Sequence, residues 1–264
     1  MEPLFFLFKI IKAMKNIQAL VLAAGKGTRL NAKSKPKVLF TILGKPIIDY
    51  IIKSLNEAGF EKPVVVVGFK GKLVQDYLKN KATCVWQKRQ LGTGHAVMQA
   101  KKALQDTDAV LIIYGDMPFW HPETFKRLIK SHQKTGATLS MATAILDKPS
   151  FFQYGRILRD KKGNVLGIIE EKEASEKEKK IKESNPGCYL VKTDWLWQTL
   201  SKIKKSYSGE YYLTDILGLA VAQGQKINTL PIKDWKQVVG INTKEHLSLA
   251  EEIIKGKKSN YTCK

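Results

Sequence analysis

A glycine-rich loop follows the first apolar run of the chain, and residues 22–30 read LAAGKGTRL. Residues 17–24 form a short apolar run typical of a buried parallel strand. The two glycines would let the backbone turn sharply and bring its N–H groups against a triphosphate, which a Cβ would obstruct. Lys26 and Arg29 add positive charge, and a second basic cluster follows at Lys33, Lys35 and Lys37. The pattern predicts a phosphate-binding loop. It lacks the spacings of a P-loop or a dinucleotide site, and a plain tight turn is the alternative.

A second glycine-rich segment, residues 87–95 (QKRQLGTGH), follows a stretch at 82–86 that we expect to be a strand. Its glycines permit close backbone approach. The Gln87 amide offers one donor and one acceptor, a pairing that suits the edge of a nucleobase. The alternative is a glycine-rich helix entry with Thr93 as the cap. We expect His95 to shape this loop and not to act as a general base.

Two further segments place oxygen ligands after strands. Asp116 (in YGDMP) follows the buried apolar run 109–114, and Asn242 (in VGINT) offers an amide oxygen. Mg²⁺ takes a few protein oxygens together with substrate phosphates, so one carboxylate and one partner suffice. The alternatives are a turn role for Asp116 and a helix-cap role for Asn242 or Thr243. In a doubly wound sheet, such segments meet beyond the C-terminal ends of the strands.

The charge balance narrows the range of partners. The chain has 264 residues, of which 45 are Lys or Arg and 24 are Asp or Glu, giving a net charge of +21. Nucleic acid, an anionic membrane or an acidic small substrate would each attract such a chain. Only five of the basic residues are arginines, and the lysines are spread along the whole chain. This argues against a protein that reads bases, so we expect no specific nucleic-acid partner.

Cysteine usage and hydropathy indicate the compartment. Cys84, Cys188 and Cys263 are far apart and have no metal-like spacing, which predicts free thiols and a cytoplasmic protein. No apolar run reaches the length of a transmembrane helix, so no membrane insertion is expected. The apolar start at residues 4–11 lacks the features of a signal peptide. We treat residues 1–13 as an extension whose role the sequence does not reveal, and residues 14–264 as a single domain.

Hydrophobic periodicity alternates strands and helices in the first half of the chain. The helix predicted at 46–58 keeps its apolar residues at helical spacing, and Gly59 follows at its C-terminal end. Strands alternating with helices imply a parallel sheet that is covered on both faces. The strands predicted in this half are 17–24, 64–67, 82–86 and 109–114, and the other helices are 71–80 and 94–104.

The second half is more mixed. The charged run 171–183 predicts an exposed helix or a mobile loop. We interpret the chain as one continuous α/β domain with a small β-rich insertion at about 145–210. The strands predicted here are 137–146, 155–170 (with a turn at 162–164), 186–192, 226–231 and 236–241, and helices are expected within 209–223 and at 243–255.

Taken together, these motifs resemble the nucleotide-sugar pyrophosphorylases, and specifically the uridyltransferase domain of bacterial N-acetylglucosamine-1-phosphate uridyltransferases. The most specific pieces, in this order, are LAAGKGTRL, KPKVL, QLGTGHA, YGDMP, GEYYLTDI and GINT. The resemblance runs from about residue 17 to residue 243, nearly the whole chain. The resemblance implies a Rossmann-like, mixed and mostly parallel sheet of the nucleotide-diphospho-sugar transferase type, with helices on both faces. It also implies UTP and a sugar 1-phosphate as substrates and Mg²⁺ as the cofactor.

The resemblance also implies roles for individual residues. Arg29 and Lys37 would be catalytic, with Arg29 neutralising the pyrophosphate leaving group and Lys37 contacting phosphate oxygens. Asp116 and Asn242 would coordinate Mg²⁺. The N-acetylated sugar would be bound by Gly155, Glu170, Asn185 and Asn242. The nucleotide would be bound by Leu22, Ala23, Ala24, Gly25, Lys37, Gln87, Gly92, Thr93, Tyr114, Gly115 and Asp116.

The chain departs from this family in two ways. It has Asn185-Pro186-Gly187 where the family usually has Asn-Thr-Gly or Asn-Ala-Gly. Proline removes a backbone donor and fixes φ, which bears on sugar recognition. Bifunctional members continue into a β-helix of hexapeptide repeats that acetylates glucosamine 1-phosphate, and this sequence shows no such repeats. We therefore expect the uridyltransferase activity alone.

The expected reaction transfers a uridylyl group from UTP to N-acetylglucosamine 1-phosphate by Mg²⁺-dependent in-line displacement, releasing pyrophosphate. One alternative is a nucleotidyltransferase for another base or sugar. An alternative from a different class is a non-catalytic polyanion-binding protein on a degenerate scaffold, suggested by the net charge. The presence of Arg29, Lys37, Asp116 and Asn242 argues against it, because a degenerate scaffold would be expected to lose some of them. The sequence does not specify an oligomeric state.

Overall fold

The computed structural model describes residues 16–30 and 35–257. The predicted extension 1–13, together with Lys33 and Cys263, lies outside these ranges. The strands are β1 (Ile17–Ala23), β2 (Thr41–Ile42), β3 (Lys45–Pro46), β4 (Val64–Val67), β5 (Thr83–Trp86), β6 (Ala109–Tyr114), β7 (Leu139–Ile145), β8 (Gly155–Arg159), β9 (Val165–Ile169), β10 (Glu183–Asn185), β11 (Cys188–Lys192) and β12 (Ile227–Ile232).

Helices connect most of these strands. The helices are α1 (Ile47–Glu57), α2 (Gly71–Leu78), α3 (Thr93–Gln99), α4 (Lys101–Leu104), α5 (Pro122–Thr135), α6 (Pro149–Phe152), α7 (Glu176–Lys179), α8 (Thr193–Leu200), α9 (Asp215–Ala222) and α10 (Lys244–Ile254). Short 3-10 turns occupy Thr28–Leu30, Lys37–Leu39, Lys79–Lys81 and Trp235–Val238.

Ten strands form one sheet in the order β5–β4–β1–β6–β11–β7–β10–β8–β9, and β12 pairs with β7. β5, β4, β1 and β6 run parallel, as strands joined by helical crossovers do. β11 runs antiparallel to both β6 and β7, and β8 pairs antiparallel with β9 and β10. The predicted α/β, Rossmann-like class is confirmed. Residues 145–210 supply both the outer strands β8–β10 and the central strand β11.

The sheet separates two apolar cores. Along β1, Ala19, Val21 and Ala23 face one core, and Leu20 faces the other, because side chains alternate across a strand. The first core is covered by α1, α5 and α10, and the second by α3, α8 and α9. Both faces of the central strands are therefore apolar, and polar side chains concentrate where the strands end.

Several predicted elements differ from the structure. Residues 236–241 were expected to be a strand, but they begin in the turn Trp235–Val238, where the side chain of Asp234 accepts the Lys236 N–H. The predicted helix 94–104 is interrupted at Ala100, which separates α3 from α4. Helices α5 and α8 were not predicted, since half of the residues that each helix buries are polar and no continuous apolar stripe marks the buried face. The charged run 171–183 contains α7, which begins with a capping box formed by Ser175 and Glu178.

Two further predictions concern the cysteines and the membrane-spanning segments. Cys84 and Cys188 are free thiols, as expected. Among the residues that the structure describes, no helix combines the length and the apolar character needed to cross a bilayer.

Candidate functional site

A cleft of about 480 Å³ opens where β1, β5 and β6 end. Every predicted nucleotide-binding residue except Gly115 lines it. Gly115 lies just beneath, where its N–H donates to the Leu22 carbonyl oxygen at 2.9 Å. A Cβ at Gly115 would lie 2.8 Å from that oxygen, so this position serves the packing of β6 against β1. The lining residues among the predicted set are Leu22, Ala23, Ala24, Gly25, Lys37, Gln87, Gly92, Thr93, Tyr114 and Asp116.

A smaller pocket of about 170 Å³ adjoins the cleft. All four predicted sugar-binding residues line it, although two lie on different strands and two lie in separate loops. Three residues, Arg29, Tyr114 and Asp116, line both the cleft and the small pocket. The two cavities therefore meet at side chains that the resemblance assigned to the leaving group (Arg29), the nucleotide (Tyr114) and the metal (Asp116). The predicted members of the small pocket are Gly155, Glu170, Asn185 and Asn242.

The Gln87 side chain is held in one orientation at the end of β5. Its Nε2 donates to the Gly92 carbonyl oxygen at 3.0 Å and to Nδ1 of His95 at 2.9 Å. Because a carbonyl oxygen can only accept, the amide nitrogen must face the loop, and the amide oxygen Oε1 is directed elsewhere. Burial, with Arg89 acting in the same direction, lowers the pKa of His95, which agrees with a neutral ring that accepts this bond.

Glycine is required at position 92 for two reasons. Gly92 has φ +104°, and a Cβ there would lie 2.5 Å from the Tyr211 carbonyl oxygen. The backbone of the loop after β5 therefore packs closely against the segment that precedes α9. Thr93 Oγ1 accepts a hydrogen bond from the Leu213 N–H at 2.9 Å and makes no cap bond to α3, whose N-cap position is Gly92. The alternative role of Thr93 as a helix cap is therefore wrong.

The ammonium group of Lys37 lies between the side chains of the two predicted metal ligands, Asp116 and Asn242. Lys37 Nζ is 2.5 Å from Asp116 Oδ2 and 2.8 Å from Asn242 Oδ1. The ion pair is largely shielded from solvent, with side-chain exposures of 15% for Lys37 and 14% for Asp116. The Ile241 N–H donates to the Asp116 carbonyl oxygen at 2.9 Å, which brings the turn carrying Asn242 to the end of β6. Within the described residues no group of three or more His, Cys, Asp and Glu side chains could hold a metal ion.

The polar side chains Glu170 and Asn185 of the small pocket are held in place by hydrogen bonds to residues behind its lining. Thr214 donates to Glu170 Oε1 at 2.7 Å. Burial raises the pKa of Glu170, the bond from Thr214 opposes this, and the neighbouring carboxylates, Asp215 first, add to the rise. Asn185 Nδ2 donates to Tyr189 Oη at 2.6 Å, and Asn185 Oδ1 accepts the Gly187 N–H at 3.1 Å.

The Asn-Pro-Gly departure fits this turn. Gly187 has φ +81°, and a Cβ there would lie 2.3 Å from the Tyr114 ring, so glycine is needed. The backbone donor that closes the turn belongs to Gly187 and not to residue 186. Pro186 is buried, and its missing N–H leaves no donor unsatisfied at that position. The turn therefore holds Asn185 at the pocket with proline in place.

Some site residues were not predicted individually. Gln153 accepts a hydrogen bond from Arg29 Nη1 across the small pocket, and nothing in its local sequence indicates this. Glu210, which lines the cleft, and Thr214 both lie in the GEYYLTDI segment, so that motif carried a signal for them. Met117 and Tyr154 also line the small pocket.

Comparisons with known proteins agree with this architecture. The chain is 39% identical over 238 residues to the bifunctional protein GlmU of Heliobacterium modesticaldum, covering 89% of this chain and 51% of that protein. It is 39% identical to the protein of the same name from Streptococcus gordonii, covering 90% and 51%, and 37% identical to that from Desulfotalea psychrophila, covering 93% and 72%. The chain thus spans about half the length of the first two relatives.

Solved structures share the fold. UDP-glucose pyrophosphorylase complexed with UDP-glucose aligns with a TM-score of 0.76 at 22% identity, covering 92% of this chain and 100% of that chain. The apo form of a UDP-glucose pyrophosphorylase aligns with a TM-score of 0.71 at 20% identity, covering 91% and 98%. A family model described as Nucleotidyl transferase matches residues 18–256. Because that match covers nearly all of the described residues, the chain belongs to the nucleotidyl transferase family.

Proposed function

We propose that this protein transfers a uridylyl group from UTP to N-acetylglucosamine 1-phosphate and releases pyrophosphate. The observation that carries the proposal is the pair of adjoining cavities that share Arg29, Tyr114 and Asp116. A nucleotide in the larger cavity and a sugar phosphate in the smaller one would meet at these three side chains. The similarity to GlmU proteins supports the choice of substrates.

The orientation of Gln87 supports uracil as the base. With its Nε2 bonded to Gly92 and His95, the side chain offers Oε1, an acceptor, to a ligand. Uracil presents an N–H donor at N3, whereas cytosine has an acceptor there. We therefore expect UTP to be preferred over CTP, because the mismatched acceptor would leave buried polar atoms unpaired.

Mg²⁺ fits the oxygens at the meeting point of the cavities. Asp116 Oδ2 and Asn242 Oδ1 converge on one cation, Lys37 Nζ, so the pair is already arranged around a positive charge. Two protein oxygens suffice for Mg²⁺, which takes its remaining ligands from phosphates and water. When bound, the ion would offset the charge of the phosphates. Lys37 would then have to leave both oxygens, and the phosphate oxygens in the same cleft would be its new partners.

The residues of the site can support the reaction without a general base. The sugar phosphate has a second pKa of about 6, so it is already largely ionised near neutrality. What remains is repulsion between two polyanions, which Arg29, Lys37 and the backbone N–H groups of residues 24–27 would offset. Gln153 would hold Arg29 at the boundary between the cavities through its hydrogen bond to Nη1.

The small pocket supports a neutral polar ligand such as an N-acetylated sugar. The Glu170 carboxylate can accept from sugar hydroxyls, and the Asn185 amide can donate to an acetamide oxygen. Gly155 lies where a Cβ would meet Ile168 at 2.7 Å, so the pocket wall there is backbone. We assign the protein to the cytoplasm on the same proposal, since its substrates are nucleotides and phosphorylated sugars.

A substrate panel tests the proposal. Purified protein with MgCl₂ would be given UTP, CTP, ATP, GTP or dTTP with N-acetylglucosamine, glucosamine or glucose 1-phosphate, and pyrophosphate release would be measured. Fastest release with UTP and N-acetylglucosamine 1-phosphate is expected. Faster turnover with another pair would support the alternative of a different base or sugar.

The polyanion-binding alternative has a separate test. Scattered lysines predict weak duplex-DNA binding that is lost steeply as salt rises. UTP binding should persist at physiological ionic strength, because contacts inside a cleft are screened less. Sequence-selective DNA binding at physiological salt, together with no UTP binding, would contradict the enzymatic proposal.

A further inference from the structure

The segment 151–154, called the loop 151–154 below, comprises the end of α6 and the turn before β8 and lies beside the small pocket. It is hydrogen-bonded to the segment 238–246, which carries Asn242. Tyr154 Oη donates to the Val238 carbonyl oxygen at 2.8 Å and accepts the Gly240 N–H at 2.8 Å. On the other side of the loop, the His246 ring contacts the Phe151 carbonyl oxygen at 2.9 Å. The two segments are 84 or more residues apart in the sequence, so these bonds join separate parts of the fold.

The partners of His246 fix its tautomer. Nδ1 lies 3.2 Å from the Asn242 backbone nitrogen, which can only donate, so Nδ1 must be the unprotonated acceptor. Nε2 faces the Phe151 carbonyl oxygen, which can only accept, so Nε2 carries the proton. The residue is 2% exposed, and its ring packs against Phe151 and Phe152 at centroid distances of 4.7 and 5.3 Å.

The ring is not needed to begin helix α10. Thr243 is the N-cap, and its side-chain oxygen accepts the His246 N–H at 3.3 Å. Both ring nitrogens of His246 are therefore used outside the helix, one on the Asn242 backbone and the other on the loop 151–154. Gln153, two residues after Phe151, has φ +56° and accepts a hydrogen bond from Arg29 Nη1.

We propose that His246 is a positioning residue that couples Asn242, at the cation-holding oxygens, to the loop 151–154 that holds Arg29 and borders the small pocket. The proposal rests on the proposed function above, since it assigns the two ends of this link to metal and to sugar phosphate. The hydrogen bond at Nδ1 would fix the position of the Asn242 backbone and hence of its side-chain oxygen. The hydrogen bond at Nε2 would fix the position of the loop 151–154 and hence of the pocket wall.

Two substitutions each keep one of the two ring hydrogen bonds of His246 and remove the other. His246→Asn keeps an amide oxygen near the position of Nδ1 but cannot reach Phe151. His246→Gln reaches Phe151 with an amide nitrogen near the position of Nε2 but leaves the Asn242 N–H without its acceptor. His246→Leu removes both bonds and keeps an apolar side chain. Thermal unfolding would establish that each variant is folded.

Mn²⁺ binding in the presence of UTP, measured by electron paramagnetic resonance, reports on Asn242 without any turnover. We expect His246→Gln to weaken Mn²⁺ binding about tenfold, the scale on which outer partners of metal ligands act, with the KM for N-acetylglucosamine 1-phosphate little changed. We expect His246→Asn to raise that KM about tenfold and to leave Mn²⁺ binding little changed, because one polar contact is worth about this factor. His246→Leu should show both effects.

Equal effects of Asn and Gln on both measurements, or no effect in either, would overturn the positioning role and leave His246 as packing alone. The proposed function is tested separately by turnover of the unsubstituted protein. If that protein turns over no sugar phosphate, the proposed function fails. The Mn²⁺ measurement with UTP still decides whether His246 acts on Asn242.

Discussion

The cleft and the small pocket are built in different ways. The cleft is formed mainly by loops that directly follow the parallel strands β1, β5 and β6, and its lining includes Gly25, Gly27 and Gly92, which present only backbone. The small pocket is formed by side chains from β8, β10 and the loops near them, in the antiparallel part of the sheet. Two of its polar side chains are held by residues behind the lining, Glu170 by Thr214 and Asn185 by Tyr189.

This difference indicates how each cavity would respond to substitution. A backbone wall is specified by glycines and by the ends of strands, so it changes only when the chain path changes. A wall of bonded side chains is specified by partners far apart in the sequence, so a single truncation leaves another polar group without its partner. The boundary, where Arg29, Tyr114 and Asp116 line both cavities, should be the most sensitive place.

The largest effect is expected at that boundary. Asp116→Ala should reduce turnover roughly a thousandfold, because it removes the carboxylate that contacts Lys37 and would hold the proposed metal. Steady-state pyrophosphate release at several Mg²⁺ concentrations measures this. Asp76→Ala is the matched control, since Asp76 is an exposed partner of Lys72 on α2, and it should behave as the unsubstituted protein. Full turnover by Asp116→Ala at modest Mg²⁺ would contradict the metal assignment.

The backbone wall is tested at Gly92. Gly92→Ala should weaken UTP binding at least about tenfold, because a Cβ 2.5 Å from the Tyr211 carbonyl oxygen forces the loop that carries Gln87 to move. Calorimetric titration with UTP gives the affinity.

Gly136→Ala provides the comparison for this test. Gly136 also has positive φ (+64°), but a Cβ there would meet nothing within 4 Å. Gly136→Ala should cost about 1–2 kcal/mol of stability through its backbone conformation and leave UTP binding unchanged. Equal UTP affinities in the two alanine variants would show that the close approach at Gly92 does not shape the cleft.

The same difference explains which parts of the molecule the sequence predicts. The strands β1, β4 and β6 are short apolar runs whose limits depend on local composition, and their predicted positions match the structure closely. The motifs of the cleft are contiguous, so the residues of each motif arrive together at the end of a strand. Helix α5 was missed although Pro122 and Gly136 mark its ends, because its buried stripe includes polar residues such as His132.

The small pocket was predictable only through resemblance. Gly155 and Asn185 lie on separate strands and Glu170 lies just after a third, and no local pattern indicates that they share a cavity. The link from Arg29 to Gln153 joins residues 124 positions apart, so it depends on the complete fold. The segment 236–241 was wrongly predicted as a strand because its apolar residues Val238, Val239 and Ile241 are buried in a turn that carries Asn242 to the site.

The side-chain wall is tested at Glu170. Glu170→Gln keeps the size of the side chain and an oxygen for Thr214, but it removes the charge that would strengthen bonds from sugar hydroxyls. The KM for N-acetylglucosamine 1-phosphate should rise roughly tenfold, and the KM for UTP should be little changed. A rise in the KM for UTP alone would contradict the division of the site into two cavities.

Thr214→Val sharpens this test through pH. Burial raises the pKa of Glu170, and the bond from Thr214 holds that rise down. Without the bond the pKa should rise further, so the carboxylate becomes protonated at a higher pH. The acid limb of the kcat/KM profile for the sugar phosphate should therefore move to higher pH in Thr214→Val. Glu170→Gln should lack this limb, and an unmoved limb in Thr214→Val would exclude Glu170 as its source.

The smallest effect on activity is expected at His132, beneath the antiparallel part of the sheet, where a substitution should change only the stability of the protein. Its Nδ1 is 2.7 Å from Ser140 Oγ on β7, and it is fully buried. Burial, with Lys192 acting in the same direction, lowers the pKa of His132 to about 4. The unfolded chain has the ordinary value of about 6.5, so between these values it binds more protons than the folded protein, and stability falls as pH falls from 6.5 towards 4.

Between pH 7.5 and pH 5 this one group should cost on the order of 2 kcal/mol of the free energy of unfolding. His132→Gln cannot take up the proton, so its stability should depend less steeply on pH by that amount, although it is less stable at pH 7.5. Urea denaturation of both proteins at the two pH values measures the difference. The parallel strands β1, β4 and β6 bury mainly apolar side chains, so on lowering the pH to 5 the amide protection factors should fall first in β7 and β12. Equal pH dependence in the two proteins would mean that His132 is protonated while folded, and the contrast between the two halves would then not extend to stability.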